Sequence, residues 1–243
     1  WEEYCMKIGI MGAMHEEIVE LQQDLELGYH IEKIGDLDFM IGKLYGREVV
    51  LVEGGIGKVN AALCASLLSH HFQVDALLFT GVAGALHSDI NIADIVLGTE
   101  LLEHDFDVTA FGYPLGKIPR MDVHAFPANP KLLEVAKKVG TRIFGEKHIF
   151  EGRILSGDQF VADLQKIQFL QETFDGYCTE MEGAAVAHVC HILGIPFLII
   201  RSISDKANHD AQMDYPEFVK IAAKNSKKMI EGMLKETIWE ESL

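Results

Sequence analysis

The chain has 243 residues, 49% of them hydrophobic and only 6 of them proline, enough apolar material for a large core and too much for a disordered chain. Its formal net charge of −16, with no long basic run to offset it, argues against nucleic acid or an anionic membrane as partner, because both are held by clustered Lys and Arg. No stretch reaches the ~18 uncharged apolar residues that a membrane span needs.

Residues 1–5, WEEYC, precede a natural start of the fold at Met6 and read as an N-terminal extension or tag remnant. With no initiator Met at position 1, an upstream export signal stays open. MKIGIMG (6–12) reads as a buried strand. EEIVELQQDLEL (16–27) reads as a helix with its apolar face at Ile18, Leu21 and Leu25. DFMIGKLYGREVVLVEGG (38–55) predicts two strands joined at Tyr45-Gly46. A helix over 58–72, a strand over 76–84 ending in a glycine turn, and strand character over 93–108 follow. ANPKLLEVAKKVG (128–140) carries a helix with Asn129 as N-cap, Pro130 at the first helical position and Gly140 as a stop. RILSGDQF (153–160) reads as a strand and then a loop. A helix over 182–193, a strand over 195–204 and a last helix from about Asp214-Tyr215-Pro216 into the 230s complete the pattern.

Apolar strands alternating with helices imply a largely parallel sheet covered on both faces. The expected fold is a single α/β domain over residues 6–240, three-layered α/β/α, with a mixed, mostly parallel central sheet. The four cysteines, Cys5, Cys64, Cys178 and Cys190, show no paired spacing, and three sit in apolar runs, as reduced core cysteines do. A cytoplasmic location is expected.

In such sheets, ligands bind outside the carboxyl ends of the strands. Four stretches lie there: GAMHEE, EGGIGKVN, TGVAG and RSISD. EGGIGKVN has neither the Walker spacing nor Gly-x-Gly-x-x-Gly, so its glycines read as places where backbone approaches a flat ligand closely. Glu17 falls in the first turn of its helix, Glu182 at a helix mouth, and Asp205 just past a strand. Each alone reads equally as a dipole complement or a loop acid. Three acids on one strand-end rim suit the cleavage of a glycosidic bond, where one acid protonates the leaving group and another activates water. Arg201 and Ser204 belong to the same rim stretch. His188-x-x-His191 and HDFD (104–107) lack a second ligand pair with zinc spacing, and no Gly-x-Ser-x-Gly elbow appears, so neither a metal nor a serine hydrolase is expected.

MKIGIMGAMHEE, EGGIGKVNAA, FTGVAGAL, HDFDVTAFGYPLGKIP, SGDQF, TEMEGAAVAHVC and IRSISDKAN, in this order, resemble the 5′-methylthioadenosine/S-adenosylhomocysteine nucleosidases over nearly the whole chain. The resemblance implies a nucleoside-phosphorylase-like fold, a homodimer, and cofactor-free, metal-free hydrolysis of the N-glycosidic bond of adenine nucleosides with a 5′-thio substituent. It implies Asp205 as general acid to adenine N7, held by Ser204, and Glu17 as the base that activates water, with Arg201 near that water. Glu182 would accept hydrogen bonds from the ribose hydroxyls while Met181 packs on the sugar. Phe160 would stack on the base, and the backbone of Val161 would read its edge. Met14 and Ile56 would line the sugar and 5′ pocket, and Phe111, Tyr113 and Pro119 would close the 5′ pocket of the partner subunit.

Such a mechanism needs Asp205 protonated by burial while Glu17 stays ionised, two carboxyls with environments driven apart. The chain departs from the family at TG-x-AG, where Ser or Thr is frequent and Val82 stands here, removing a hydroxyl near the water. Some members with this variation act on 6-amino-6-deoxyfutalosine. A phosphorolytic purine nucleoside phosphorylase is the nearest rival, and it would need a cationic phosphate pocket.

Overall fold

The computed structural model describes residues 6–206, 211–240 and 243, with the backbone alone for 211–215. Strand β1 (Ile8–Gly12) is buried throughout and lies parallel to β4 (Arg47–Glu53) on one side and β5 (Ala76–Ala85) on the other. Strand β10 (Phe197–Asp205) runs parallel to β5. Runs such as ALLF in β5 and FLII in β10 are apolar at every position because both faces of these strands are covered. Successive side chains then feed two separate cores. Leu77, Phe79, Phe197 and Ile199 join the core under helices α2 (Lys58–His70) and α5 (Gly183–Leu193). Ala76, Leu78, Leu198 and Ile200 join the core under α1 (His15–Gln23), α3 (Pro130–Phe144) and α6 (Ala211–Leu234).

Strand β6 (Ile95–Glu103) pairs antiparallel with β10 and parallel with β8 (Ile149–Ser156). Strand β8 lies parallel to β9 (Gly176–Glu180), and β9 pairs antiparallel with the end of β5. Strands β5, β10, β6, β8 and β9 therefore close into a ring. From it β1, β4, β3 (Leu37–Leu44) and the edge strand β2 (His30–Ile34) extend as an open wing, and the short β7 (Phe126–Pro127) adds to β6. The α/β expectation holds; the closure goes beyond what alternating strands and helices announce. Register shifts at Ile203/Asp205, Gly98/Leu101 and Arg153/Ile154 lie in the ring strands, and such irregularities bend a strand and raise its twist.

Asn129 caps α3 through Lys131 and Leu132 as expected, a contact worth about 1 kcal/mol. Gly140, however, does not stop that helix, which runs on to Phe144. A Cβ at 140 would lie 2.7 Å from Ile149 Cδ1, so the glycine allows close packing on β8, and Gly145, at φ 88°, is the stop. The expected strand over 93–108 ends at Glu103, and the expected strand at 153 begins four residues earlier. Helix α1 ends at Gln23 rather than 27, although Leu25 stays buried. Helix α6 begins at Ala211, ahead of the expected 214. Strands β2 and β9 and helix α4 (Leu164–Phe174) were not foreseen. β2 is a largely exposed edge strand with a blurred alternation, and α4 buries only Leu170 and Phe174. Cys5 and the extension at 1–5 lie outside the described residues.

Candidate active site

The C-terminal ends of β1, β5, β9 and β10, with the loops after β4 and β8, surround a cavity of about 260 Å³. All four strand-end stretches singled out from the sequence reach its wall. Met14 and Glu17 come from the first, Ile56 from the second, Val82 from the third, and Ser204 and Asp205 from the last. Phe160, Val161, Met181 and Glu182 complete the predicted set on the wall.

Glu17 stands one turn into α1 and is 4% exposed. Its Oε2 accepts the backbone N–H groups of Ala13 at 2.6 Å and Met14 at 2.9 Å, and its Oε1 accepts that of Val82 at 3.0 Å. One carboxylate thus caps its own helix and ties the end of β1 to the end of β5. Burial raises its pKa; the Arg201 guanidinium and the three amides act against that rise. The result is a carboxyl more basic than an exposed one, held in one orientation.

Arg201 does not face the cavity. It lies behind the wall, 1% exposed, with its Nη2 and Nε 2.6 and 3.2 Å from Glu180 Oε2 and its guanidinium 4.0 Å from the Phe79 ring centroid. Glu180 is the residue that sequence reasoning missed, although it stands in the same TEME run as Glu182. Its Oε2 also accepts the N–H groups of Glu182 and Gly183, and its Oε1 takes the hydroxyl of Ser156. Ser156 Oγ in turn accepts the N–H of Ala184 at 2.7 Å. The N-terminus of α5 is therefore served by Glu180 and Ser156.

That frees Glu182. It occupies the N-cap position of α5 without capping it. Its Oε1 accepts the N–H of Gly57 at 2.8 Å. Burial first, then the charge of Glu180, push its pKa up to about 7, against the Gly57 amide and Arg201. Gly57 sits at φ 94°, a region open to glycine. The glycine requirement at position 57 is thus one of backbone conformation, which aims an amide at Glu182.

On the facing side Asp205 ends β10, 3% exposed, and Ser204 Oγ donates to its Oδ2 at 2.9 Å. Val82 packs with Met14, Val219 and Ala222, giving that part of the wall an apolar lining. Gln159 and Thr179 also line the cavity; they belong to the SGDQF and TEMEGAAVAHVC stretches, where no role was assigned to them. Phe111, Tyr113 and Pro119 do not line the cavity of their own chain, and Phe111 is 81% exposed.

The histidine stretches have other partners. His188 Nδ1 lies 3.1 Å from Glu103 Oε1 and its ring stacks on Phe126, while His191 lies beside Asp122. Within HDFD, Asp105 pairs with Lys58 and Asp107 accepts from Thr109. His104 is buried, its ring nitrogens have no partner among the described residues, and burial lowers its pKa to about 4.

The sheet and the acid-lined cavity at its strand ends define a member of the Phosphorylase superfamily, which matches residues 7–235. A curated 5′-methylthioadenosine/S-adenosylhomocysteine nucleosidase from Shewanella halifaxensis (strain HAW-EB4) is 39% identical over 232 residues, 95% of this chain and 100% of the relative. The chain belongs to that nucleosidase family. The solved S. pneumoniae nucleosidase of the same description, with a transition-state inhibitor, MT-ImmA, superposes with a TM-score of 0.89 at 38% identity, covering 95% of this chain and 99% of the other. A native futalosine hydrolase of Helicobacter pylori strain 26695 superposes with a TM-score of 0.88 at 36% identity, covering 94% and 97%.

Proposed function

We propose that the protein hydrolyses the N-glycosidic bond of 5′-methylthioadenosine, S-adenosylhomocysteine and related adenine nucleosides, releasing adenine and the 5′-substituted ribose. The observation that carries this reading is the opening of Glu17, Asp205 and Glu182 into one cavity from separate strand ends. Asp205 donates a proton to adenine N7 so that the base departs neutral, and the electron pair of the broken C–N bond stays with the base. Water, deprotonated by Glu17, adds to the anomeric carbon. Glu182 accepts hydrogen bonds from the ribose hydroxyls, an interaction that strengthens as the sugar becomes cationic. Phe160 offers its face to the base, and Met14, Ile56, Val82 and Met181 supply apolar contact to the sugar and its 5′ group. Arg201 acts from behind, holding Glu180 and placing positive charge beside Glu17.

Phosphorolysis fits less well. The cavity wall holds no Lys or Arg among the described residues, and Arg201 is committed to Glu180. Added phosphate should leave the ribose product unchanged.

The fold of the futalosine hydrolase and the apolar Val82 keep 6-amino-6-deoxyfutalosine as a second substrate to assay. Adenine release from each of the three nucleosides tests the reading. Asp205→Asn should abolish release while leaving the melting temperature within a few degrees; retained activity would place the acid elsewhere.

The enzyme works as a homodimer in this reading, with Phe111, Tyr113 and Pro119 closing the partner's 5′ pocket. The exposure of Phe111 and of Val59 and Leu63 on α2 supports an apolar face between subunits. A sedimentation coefficient of a monomer at micromolar concentration would overturn that part. The free, buried Cys64, Cys178 and Cys190 suit a reducing, cytoplasmic setting.

A further inference from the structure

Lys58 opens α2, and three loops meet at it. Its backbone N–H donates to Asp158 Oδ1 at 2.9 Å, the N–H of Asp158 donates to Asp105 Oδ2 at 3.0 Å, and Asp105 Oδ1 takes Lys58 Nζ at 2.6 Å. These three bonds close a ring. The Lys58 ammonium also reaches Glu103 Oε2 at 3.3 Å. Its side chain is 18% exposed, and those of Glu103 and Asp105 are 10% and 16% exposed. The ammonium's bonds to Asp105 and Glu103 are therefore charge-assisted and weakly screened, whereas the two bonds through Asp158 lie exposed. None of the ring members lines the cavity, but their chain neighbours do: Ile56 on one side, and Gln159, Phe160 and Val161 on the other.

The ring also solves a local problem. Gly57 has no side chain with which to cap α2, so two amides at the start of the helix need outside acceptors. Glu182 takes the N–H of Gly57 and Asp158 takes that of Lys58. The wall assigned to the sugar and the loop assigned to the base thus share one helix terminus. Residues 157–163 form no helix or strand, so the conformation of that loop depends on such tethers.

We propose that Lys58 is a positioning residue. Through Asp158 and Asp105 it fixes the loop carrying Phe160 against the loop carrying Ile56 and Gly57, and so sets the spacing of the base and sugar walls. This rests on the nucleosidase reading. Glu17 and Asp205 stand on α1 and β10, outside the ring. Loosening the ring weakens ground-state and transition-state binding of the base alike, which raises KM and spares kcat.

The test is steady-state kinetics with methylthioadenosine, together with calorimetric titration of adenine into the full-length protein. Lys58→Met should raise both KM and the adenine Kd about tenfold while kcat stays within about threefold. Asp158→Ala, at an exposed loop position, should do the same and reads the ring even where Lys58→Met fails to fold. Lys58→Arg keeps the charge and Asp158→Asn keeps an acceptor oxygen, so both should bind adenine nearly as the parent does. Unchanged KM and Kd in folded Lys58→Met or Asp158→Ala would overturn the proposal. So would a loss confined to kcat, or a Lys58→Arg variant as impaired as Lys58→Met. A parent protein that releases no adenine yet binds it in a Lys58-dependent way would sink the reaction and leave the ring standing.

Discussion

Glu180 and Arg201 form a sealed ion pair, 2.6 Å apart with side chains 3% and 1% exposed. Glu180 is itself part of the acidic cavity wall, and Arg201 stands directly behind it. Glu17, Glu180 and Glu182 all bear on this one guanidinium, each favouring its charged form. Removing it leaves buried carboxylates uncompensated, which costs on the order of 3–5 kcal/mol. Arg201→Met should therefore lower the melting temperature by about 10 °C, as calorimetry would read. A shift of a degree or two would mean that the pair is not what holds these acids in place.

Glu17→Gln keeps the shape of the side chain and loses its basicity. The expected result is a fall in kcat of about 10²- to 10⁴-fold, the usual worth of a general base, in a protein with unchanged circular dichroism. A loss of less than tenfold would move the base to another group.

Gly81 lies between Glu17 and Arg201. A Cβ placed there would be 2.6 Å from Glu17 Oε1 and 3.1 Å from Arg201 Nη1. Glu17 cannot simply swing aside, because three backbone amides hold it. Gly81→Ala should therefore displace that carboxylate and cost most of the activity, measured as kcat for adenine release. Normal turnover in this variant would show the wall to be softer than its hydrogen bonds imply.

Stability should fall as pH rises through the neutral range. Glu182 titrates near 7 in the folded protein against an ordinary value of 4.5. Between those limits the native state binds more protons than the unfolded chain, and stability then declines with pH. Burial shifts Glu17 in the same direction. The Glu182 contribution is on the order of 3 kcal/mol, fully present below about pH 4.5 and gone above about 7. Urea unfolding at pH 5.5 and 8.5 measures it, and Glu182→Gln should flatten the slope. Equal slopes in parent and variant would assign the effect to another group.

Glu17 and Asp205 were legible because each stands at or shortly past the end of a strand visible as an apolar run stopped by glycine or polar residues, and Glu182 because it stands at the mouth of an apolar helix. The seven motifs then supplied roles that no spacing could. Glu180 was not legible as a separate function. A strand residue two positions from Glu182 looks like its duplicate until pairing with Arg201 and Ser156 is seen, and those partners come from other strands. Arg201 was read at the rim for a related reason: nothing in RSISD tells which alternate residues of β10 face the cavity. The ring closure and β9 escaped because strand pairing is a long-range property, and GYCTE is a short strand between a helix that buries little and a second helix. Gly140 misled because a stop glycine and a packing glycine look alike in one sequence.

The β5–β10 pairing joins residues 77–84 to 197–205, and it is this pairing that brings Asp205 to the wall already holding Glu17. In the proposed mechanism the two halves of the acid–base apparatus therefore leave the ribosome far apart in time. A chain halted before its tenth strand would carry a base without its acid, and so would be inert toward nucleosides until the final strand docks. Loss of the C-terminal portion by proteolysis should silence the protein in the same way, however intact the β1–β4 wing stays.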